Sequence, residues 1–313
     1  MLIQGITSRT PIDKGWSCDK KFCAVAADGT RYLLRITPKE KSGSRAKLFV
    51  MLRQVAELGI PMCRLVESGP CGEGVYGLYT WIDGQDAEAV VPGLPVKSQY
   101  EMGLEAGRIL YKIHTIPAPP DQEPWYTRFS RKADRKIAGY REAGIRFPGD
   151  SRVIEYLMGQ RDLLHDRPQC FQHGDYHIGN MMVDQGGLAI IDFDRYDFGD
   201  PWEEFNRIVW CAQAAPAFAC GMVDGYFGGT PPEAFWRCLA FYIGSNTLSS
   251  LYWALDFGPQ ELAVMENQAR DVMAWYDGFT RTEPGWYRPP AGSRALWGFL
   301  RLGLALCAVN RLQ

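Results

Sequence analysis

Three side chains stand out for what they could do together. They are the carboxylate of Asp175, the amide of Asn180 five positions on, and the carboxylate of Asp192 after a short β-rich run, Leu188–Ile191. A carboxylate and an amide offer one charged and one neutral hard-oxygen donor, the kind magnesium takes when it also binds phosphate oxygens. A second carboxylate held at a hydroxyl can orient it and take its proton. Moving a phosphoryl group to a hydroxyl needs both, because charge spreads over the transferring oxygens and must be neutralised and aligned. Asp175 is therefore the candidate base, and Asn180 and Asp192 are the candidate metal ligands.

The elements that must position these groups read as two regions. The first alternates short β-rich runs with turn signals: Phe22–Ala26 and Arg31–Ile36 flank Asp28-Gly29, a hairpin signal, and a further strand is expected near Leu2–Ile6. Residues Ser44–Leu58 have helical apolar spacing and stop at Gly59, and strands follow near Arg64–Ser68 and Gly74–Ile82. From Gln99 the pattern turns helical: Tyr100–Ile113, Ser130–Gly144, Pro232–Phe257 and Glu261–Phe279. The Arg and Lys residues of Ser130–Gly144 read as a solvated face. The change falls at Thr80–Asp86, giving an N-terminal lobe 1–82, a C-terminal lobe 83–290 and an apolar tail 291–313. The expected class is α+β: a small antiparallel sheet with one helix, then a larger, mainly helical lobe.

The segment HGDYHIGN, followed by Ile191-Asp192-Phe193 and Gly199-Asp200-Pro201, carries a resemblance. Asp175-x-x-x-x-Asn180 has the spacing of the protein-kinase catalytic loop. The whole stretch Phe171–Phe205 resembles the aminoglycoside phosphotransferase family, which shares the protein-kinase-like fold with choline and homoserine kinases. Looser likeness extends over Gly15–Gly84 and the IHTIPAP segment around His114. The resemblance implies two lobes, ATP as co-substrate with Mg2+, and phosphorylation of a small-molecule hydroxyl. Position by position it makes Asp175 the base and Asn180 and Asp192 the metal ligands. His173 is expected to brace the loop, and His177 to touch phosphate or pack in the loop. Asp194 has two open readings, a second magnesium or a local turn. Asp200-Pro201-Trp202-Glu203 reads as a capping box, with Asp200 as N-cap and Glu203 folding back.

On the nucleotide side, kinases use a glycine-rich loop and a third-strand lysine. Here the loop Lys14–Lys21 has one glycine, with Ser17 and Lys20 (or Lys21) as candidate phosphate contacts. Arg35 stands where the lysine is expected and can grip phosphates bidentately. Its usual helix glutamate is missing: Leu48 occupies that place, and Glu40 is the substitute considered. Adenine is expected on backbone groups of Thr80, Trp81 and Ile82. For the acceptor, an aminoglycoside antibiotic or a sugar-like metabolite, Glu203 and Asp256 are the candidate carboxylates.

Composition fits an enzyme of this kind without choosing its substrate. The 313 residues are 46 % hydrophobic and 22 % charged with net charge −2, which points to neither nucleic acid nor an anionic membrane. The nine cysteines form no CxxC pair, so reduced thiols in a cytoplasmic protein are expected. No apolar run is long enough to span a bilayer. Two alternatives stay open: a kinase of an ordinary amino alcohol or sugar, and a catalytically silent kinase-like binding module.

Overall fold

The computed structural model describes residues 1–13, 17–185 and 187–290. The start of the expected phosphate loop, Lys14-Gly15-Trp16, and the apolar tail 291–313 lie outside the described residues. The chain forms two compact units. Among the described residues, one comprises Met1–Val90 with Gly179–Tyr196, the other Val91–Ile178 with residues 197–290.

The first unit is built on a five-stranded antiparallel sheet of β1 (Ile6–Pro11), β2 (Lys20–Ala26), β3 (Arg31–Pro38), β4 (Leu65–Cys71) and β5 (Gly74–Thr80), in the order β1-β2-β3-β5-β4. The Asp28-Gly29 turn closes β2 on β3 as its residue types require: Gly29 takes φ 84° and Asp28 Oδ1 accepts the Thr30 N–H at 2.9 Å. Ala24, Leu34, Tyr76 and Leu78 form the core of this sheet. Helix α1 (Ser42–Glu57) buries Leu48, Phe49, Leu52 and Val55 at three- and four-residue spacing, and Arg45 lies on the same buried stripe. The strand expected at Leu2–Ile6 begins only at Ile6. Leu2–Gly5 is a 3-10 turn whose first N–H groups donate to the Glu67 carboxylate instead of to a strand.

The same unit holds a second sheet, β6 (Gln85–Asp86), β8 (Met181–Asp184) and β9 (Gly187–Ile190), in the order β6-β8-β9, with the short helix α2 (Ala87–Val90) beside it. The hairpin β8–β9 is thus supplied by a late stretch of chain.

The second unit contains α3 (Val96–Ile113), α4 (Trp125–Glu142), α5 (Asp150–Gly159), the paired strands β7 (Cys170–Gln172) and β10 (Asp197–Gly199), then α6 (Ile208–Ala214), α7 (Pro216–Phe227), α8 (Glu233–Ala254) and α9 (Pro259–Trp275). Its core packs Trp125, Phe129, Ile137 and Tyr140 of α4 against Phe241, Tyr242, Leu248 and Leu251 of α8. Helices α3 and α7 meet backbone to backbone through Gly103, Gly107, Gly221 and Gly225. A Cβ on Gly107 would lie 2.1 Å from the Met222 carbonyl oxygen, and one on Gly221 2.1 Å from that of Tyr100. The antiparallel sheet followed by helices is the α+β arrangement read from the sequence. Among the described residues no helix is long and apolar enough to cross a membrane.

Candidate active site

Asn180 and Asp192 sit at the open end of one hairpin. Antiparallel pairing runs from Asp184↔Gly187 to Met181↔Ile190, so the residues flanking that end, Asn180 and Ile191, must come together. The Ile191 N–H donates to the Asn180 carbonyl at 3.1 Å. Asp192 follows in a left-handed conformation, φ 64°, ψ 63°. Aspartate enters that conformation more readily than most side chains, and Asp166 and Asp277 also adopt it. Among the described residues no three His, Cys, Asp or Glu side chains gather as a metal cluster. One carboxylate and one amide are too few for a zinc site but suit magnesium, which takes one or two protein oxygens and completes its shell with phosphates and water.

Arg35 lies within this unit on β3, and its partner is not Glu40, which is exposed on the 3-10 turn Lys39–Lys41. The partner is Asp19, from the loop before β2. Arg35 Nε donates to Asp19 Oδ2 at 3.0 Å, and Arg45 Nη2 donates to the same oxygen at 2.6 Å. Asp194 takes the other face of both guanidiniums: Arg45 Nη1 at 2.6 Å, and Arg35 through a short contact. Arg35 Nη1 also reaches Asp192 Oδ1 at 3.4 Å, and Arg35 Nη2 approaches Ser17 Oγ at 3.5 Å. Burial opposes the charge on Arg35, but Asp194, Asp192 and Asp19 outweigh it and raise its pKa. Burial likewise opposes ionisation of Asp194, yet Arg35 and Arg45 hold its carboxyl below the usual value. Helix α1 thus brings an arginine where an acid was expected, and the acid comes from the loop. Asp194 sits in the 3-10 turn Phe193–Arg195, as the turn reading has it, and is also the ion-pair partner of both arginines.

In the second unit, Asp175 stands on a loop whose backbone is clamped. Gly174, with φ 84°, turns its N–H onto the buried Glu204 carboxylate at 3.0 Å, and the Tyr176 N–H points to the same group at 3.4 Å. Tyr176 OH donates to the Ala106 carbonyl of α3 at 2.7 Å, and the Ile178 N–H to Cys211 Sγ of α6 at 3.3 Å. His173 is fully buried, and its Nδ1 accepts the Asp175 N–H at 3.3 Å, a bracing contact. The Asp175 carboxylate lies 3.2 Å from Arg207 Nε and 3.7 Å from His177 Nε2. His114, at the end of α3, places Nε2 3.8 Å from Glu204 and bonds Tyr226 through Nδ1 at 3.0 Å.

A model of the phosphotransferase enzyme family matches residues 8–238. The chain belongs to that family. Solved structures similar to it include aminoglycoside phosphotransferase APH(4)-Ia, 18 % identical, TM-score 0.63, covering 86 % of this chain and 94 % of that one. Another is aminoglycoside 2'-phosphotransferase-IIIa in its GDP complex, 14 % identical, TM-score 0.65, covering 86 % and 93 %. A third is APH(2")-IIa with gentamicin, 14 % identical, TM-score 0.59, covering 84 % and 91 %. No curated protein matches. At these identities the structural likeness establishes the aminoglycoside-phosphotransferase, kinase-like fold.

The remaining candidates of this phosphotransferase are placed as follows. Lys20 pairs with Glu73 at the exposed start of β2 and is not part of the Arg35 cluster. Thr80 ends β5, its Oγ1 accepting the Arg64 N–H at 2.9 Å and its carbonyl accepting Cys63 S–H at 3.1 Å. Trp81 and Ile82 follow that strand, and Arg31 lies 5.6 Å over the Trp81 ring. Asp200 is fully buried; it accepts the Trp202 N–H at 3.0 Å, as an N-cap does, and is also gripped by Arg167 at 2.7 Å and Tyr242 at 2.6 Å. The capping box is incomplete. Glu203 does not fold back, because its carboxylate is taken by Lys132 at 3.1 Å and Gln172 at 3.2 Å. Asp256 is exposed on the 3-10 turn Leu255–Phe257. Sequence reasoning missed Asp19, Arg45 and Arg207, and read Glu204 only as an acid of the acceptor region, not as the clamp of the Asp175 loop. Only Arg45 left a local signal, since a cation three and four residues before Leu48 and Phe49 falls on the buried stripe.

Proposed function

We propose that this chain is an ATP-dependent phosphotransferase that moves the γ-phosphate to a hydroxyl of a small molecule, with Asp175 as base and Asn180 and Asp192 as ligands for magnesium. The observation that carries this reading is the closure of the β8–β9 hairpin, which brings an amide and a carboxylate together on adjacent backbone five residues after a clamped aspartate. Bound magnesium supplies charge neutralisation at the phosphate oxygens. The residues do the rest. Asp192 and Asn180 provide hard oxygens, and Arg35 and Arg45 provide two guanidiniums for a triphosphate, with Asp194 as their counter-ion when none is bound. Asp175, its loop fixed by Glu204, accepts the proton of the acceptor hydroxyl.

Nucleotide use is supported by the family and by related structures that hold ADP or GDP. Aminoglycosides, which other members of the fold bind, are one acceptor class and would make the protein an antibiotic-resistance enzyme. Ordinary hydroxylated metabolites are the other, and the intact Asp175, Asn180 and Asp192 weigh against a silent binding module. The test is incubation with Mg-[γ-32P]ATP and an acceptor panel. Label recovered on a small molecule supports the reading; label that stays in ATP with every acceptor contradicts it.

A further inference from the structure

His114 closes α3 and has no part in the chemistry assigned to Asp175, Asn180 and Asp192, yet it is buried against the group that holds the Asp175 loop. Its side chain is 4 % exposed and that of Glu204 1 %. Both Glu204 oxygens receive the Gly174 N–H, at 3.0 and 3.2 Å, and Oε1 also faces the Tyr176 N–H at 3.4 Å. Those two amides flank Asp175, so the Glu204 carboxylate fixes the backbone from which Asp175 projects. On its other side the carboxylate faces His114, whose Nε2 stands 3.8 Å from Oε2.

The second ring nitrogen decides where the imidazole proton sits. Tyr226 OH lies 3.0 Å from His114 Nδ1. Helix α7 brings it there because Gly107 of α3 leaves room: a Cβ at Gly107 would stand 2.5 Å from the Tyr226 backbone nitrogen. Burial pushes the Tyr226 phenol well above its usual pKa, so it keeps its proton. A buried hydroxyl needs an acceptor, and among the described residues the one Tyr226 OH meets is Nδ1. A proton on Nδ1 would leave the hydroxyl proton with no acceptor. Tyr226 therefore donates to Nδ1, and the imidazole proton is on Nε2. Nε2 has no hydrogen-bond partner, and the carboxylate it faces is that of Glu204. At 3.8 Å the contact is longer than a hydrogen bond, but in a site closed to water an N–H dipole beside a carboxylate is felt at that range. The terminal torsion of a glutamate turns easily, and His114 biases it from the side opposite the loop.

We infer that His114 is a positioning residue: fixed by Tyr226 as the Nε2–H tautomer, it holds the Glu204 carboxylate against the Gly174 and Tyr176 amides and so sets the place of the Asp175 carboxylate. For catalysis the inference rests on Asp175 being the base. In the 15N-labelled full chain, the His114 ring nitrogens are expected to show Nε2 protonated and Nδ1 bare, a pattern lost in Tyr226→Phe. Exchange of the Gly174 and Tyr176 amides should quicken about tenfold in His114→Phe, the order of one hydrogen bond to a charged group; this variant keeps an aromatic ring and loses the N–H. In His114→Gln, whose side-chain amide can offer an N–H near the place of Nε2, exchange should stay within about threefold of wild type. Turnover should follow the same order, with kcat lowered in His114→Phe, largely restored in His114→Gln, and KM for ATP unchanged in both. A protonated Nδ1 in the wild-type chain, amide exchange unmoved by His114→Phe, or an exchange rate as fast in His114→Gln as in His114→Phe would each overturn the inference; the first needs no variant to fold. A wild-type chain that transfers no phosphate would instead remove Asp175 as base, and the tautomer and exchange results would still decide whether His114 holds the loop.

Discussion

Replacing Asp19 by Asn removes one of the two carboxylates, with Asp194, on which two buried guanidiniums meet. Asp19 has a side chain 1 % exposed and those of Arg35 and Arg45 are each 9 % exposed, so water cannot take its place. Its Oδ2 accepts Arg35 Nε at 3.0 Å and Arg45 Nη2 at 2.6 Å. Asparagine keeps the shape and a neutral acceptor, but leaves two cations sharing Asp194. Removing one partner from a buried ion pair costs about 3–5 kcal/mol, a large part of the ~5–15 kcal/mol that holds a domain folded. With a urea slope of about 3 kcal/mol/M, the unfolding midpoint should fall by roughly 1–1.7 M. Circular dichroism across a urea series measures it. Arg45→Gln added to Asp19→Asn should recover part of the loss, because one unpaired buried charge leaves with it. A midpoint within 0.3 M of wild type (a bound chosen at about 1 kcal/mol of effect), or a double variant that loses the two single costs in full, would refute the reasoning.

Gly107→Ala drives a methyl to 2.1 Å from the Met222 carbonyl oxygen. Main chain cannot rotate aside, so the cost should reach the upper end of overpacking, about 3 kcal/mol, lowering Tm by roughly 6–12 °C in a calorimetric scan. Glu204→Gln removes the charge that holds the Gly174 N–H; kcat should fall about 10- to 100-fold with nucleotide Kd unchanged, since the loop and not the triphosphate side is loosened. Lys136→Met should stabilise the fold most in acid. The folded pKa, about 7, lies below the unfolded value near 10.4, so the penalty of a charged buried amine is fully present below pH 7 and fades as pH rises between the two values. Urea midpoints of variant and wild type at pH 6 and pH 9.5 check this. Asp194→Asn should tighten binding of ATP by removing its competing counter-ion, whereas weaker Mg-ATP binding would make Asp194 a metal ligand.

The parts of this protein that could be read from sequence are those fixed by neighbours along the chain. The Asp28-Gly29 turn sets the register of β2 on β3, and the β-rich run before Asp192 is a strand; its pairing with Met181–Asp184, which brings the Asn180 and Asp192 backbones together, is seen only in the structure. What escaped depends on distant pairings. Asp19 and Arg45 are 26 residues apart, and Glu204 reaches Gly174 over 30. No local pattern announces such contacts. Glu203 was misread for the same reason: its spacing to Asp200 fits a capping box, but Lys132, 71 residues away, holds the carboxylate instead. The helix Ser130–Gly144 read as a solvated face is solvated at Arg131, Arg135 and Arg141, while Lys132 and Lys136 turn toward Glu203.

The most direct test of the central assignment is Asp175→Asn in an acceptor-dependent ADP-release assay, with Mg-nucleotide binding measured alongside. Loss of a positioned general base should lower kcat by about 10²–10⁴ while the nucleotide Kd stays near wild type. Transfer that persists within tenfold of wild type would show that the proton is taken elsewhere and that Asp175 is not the base.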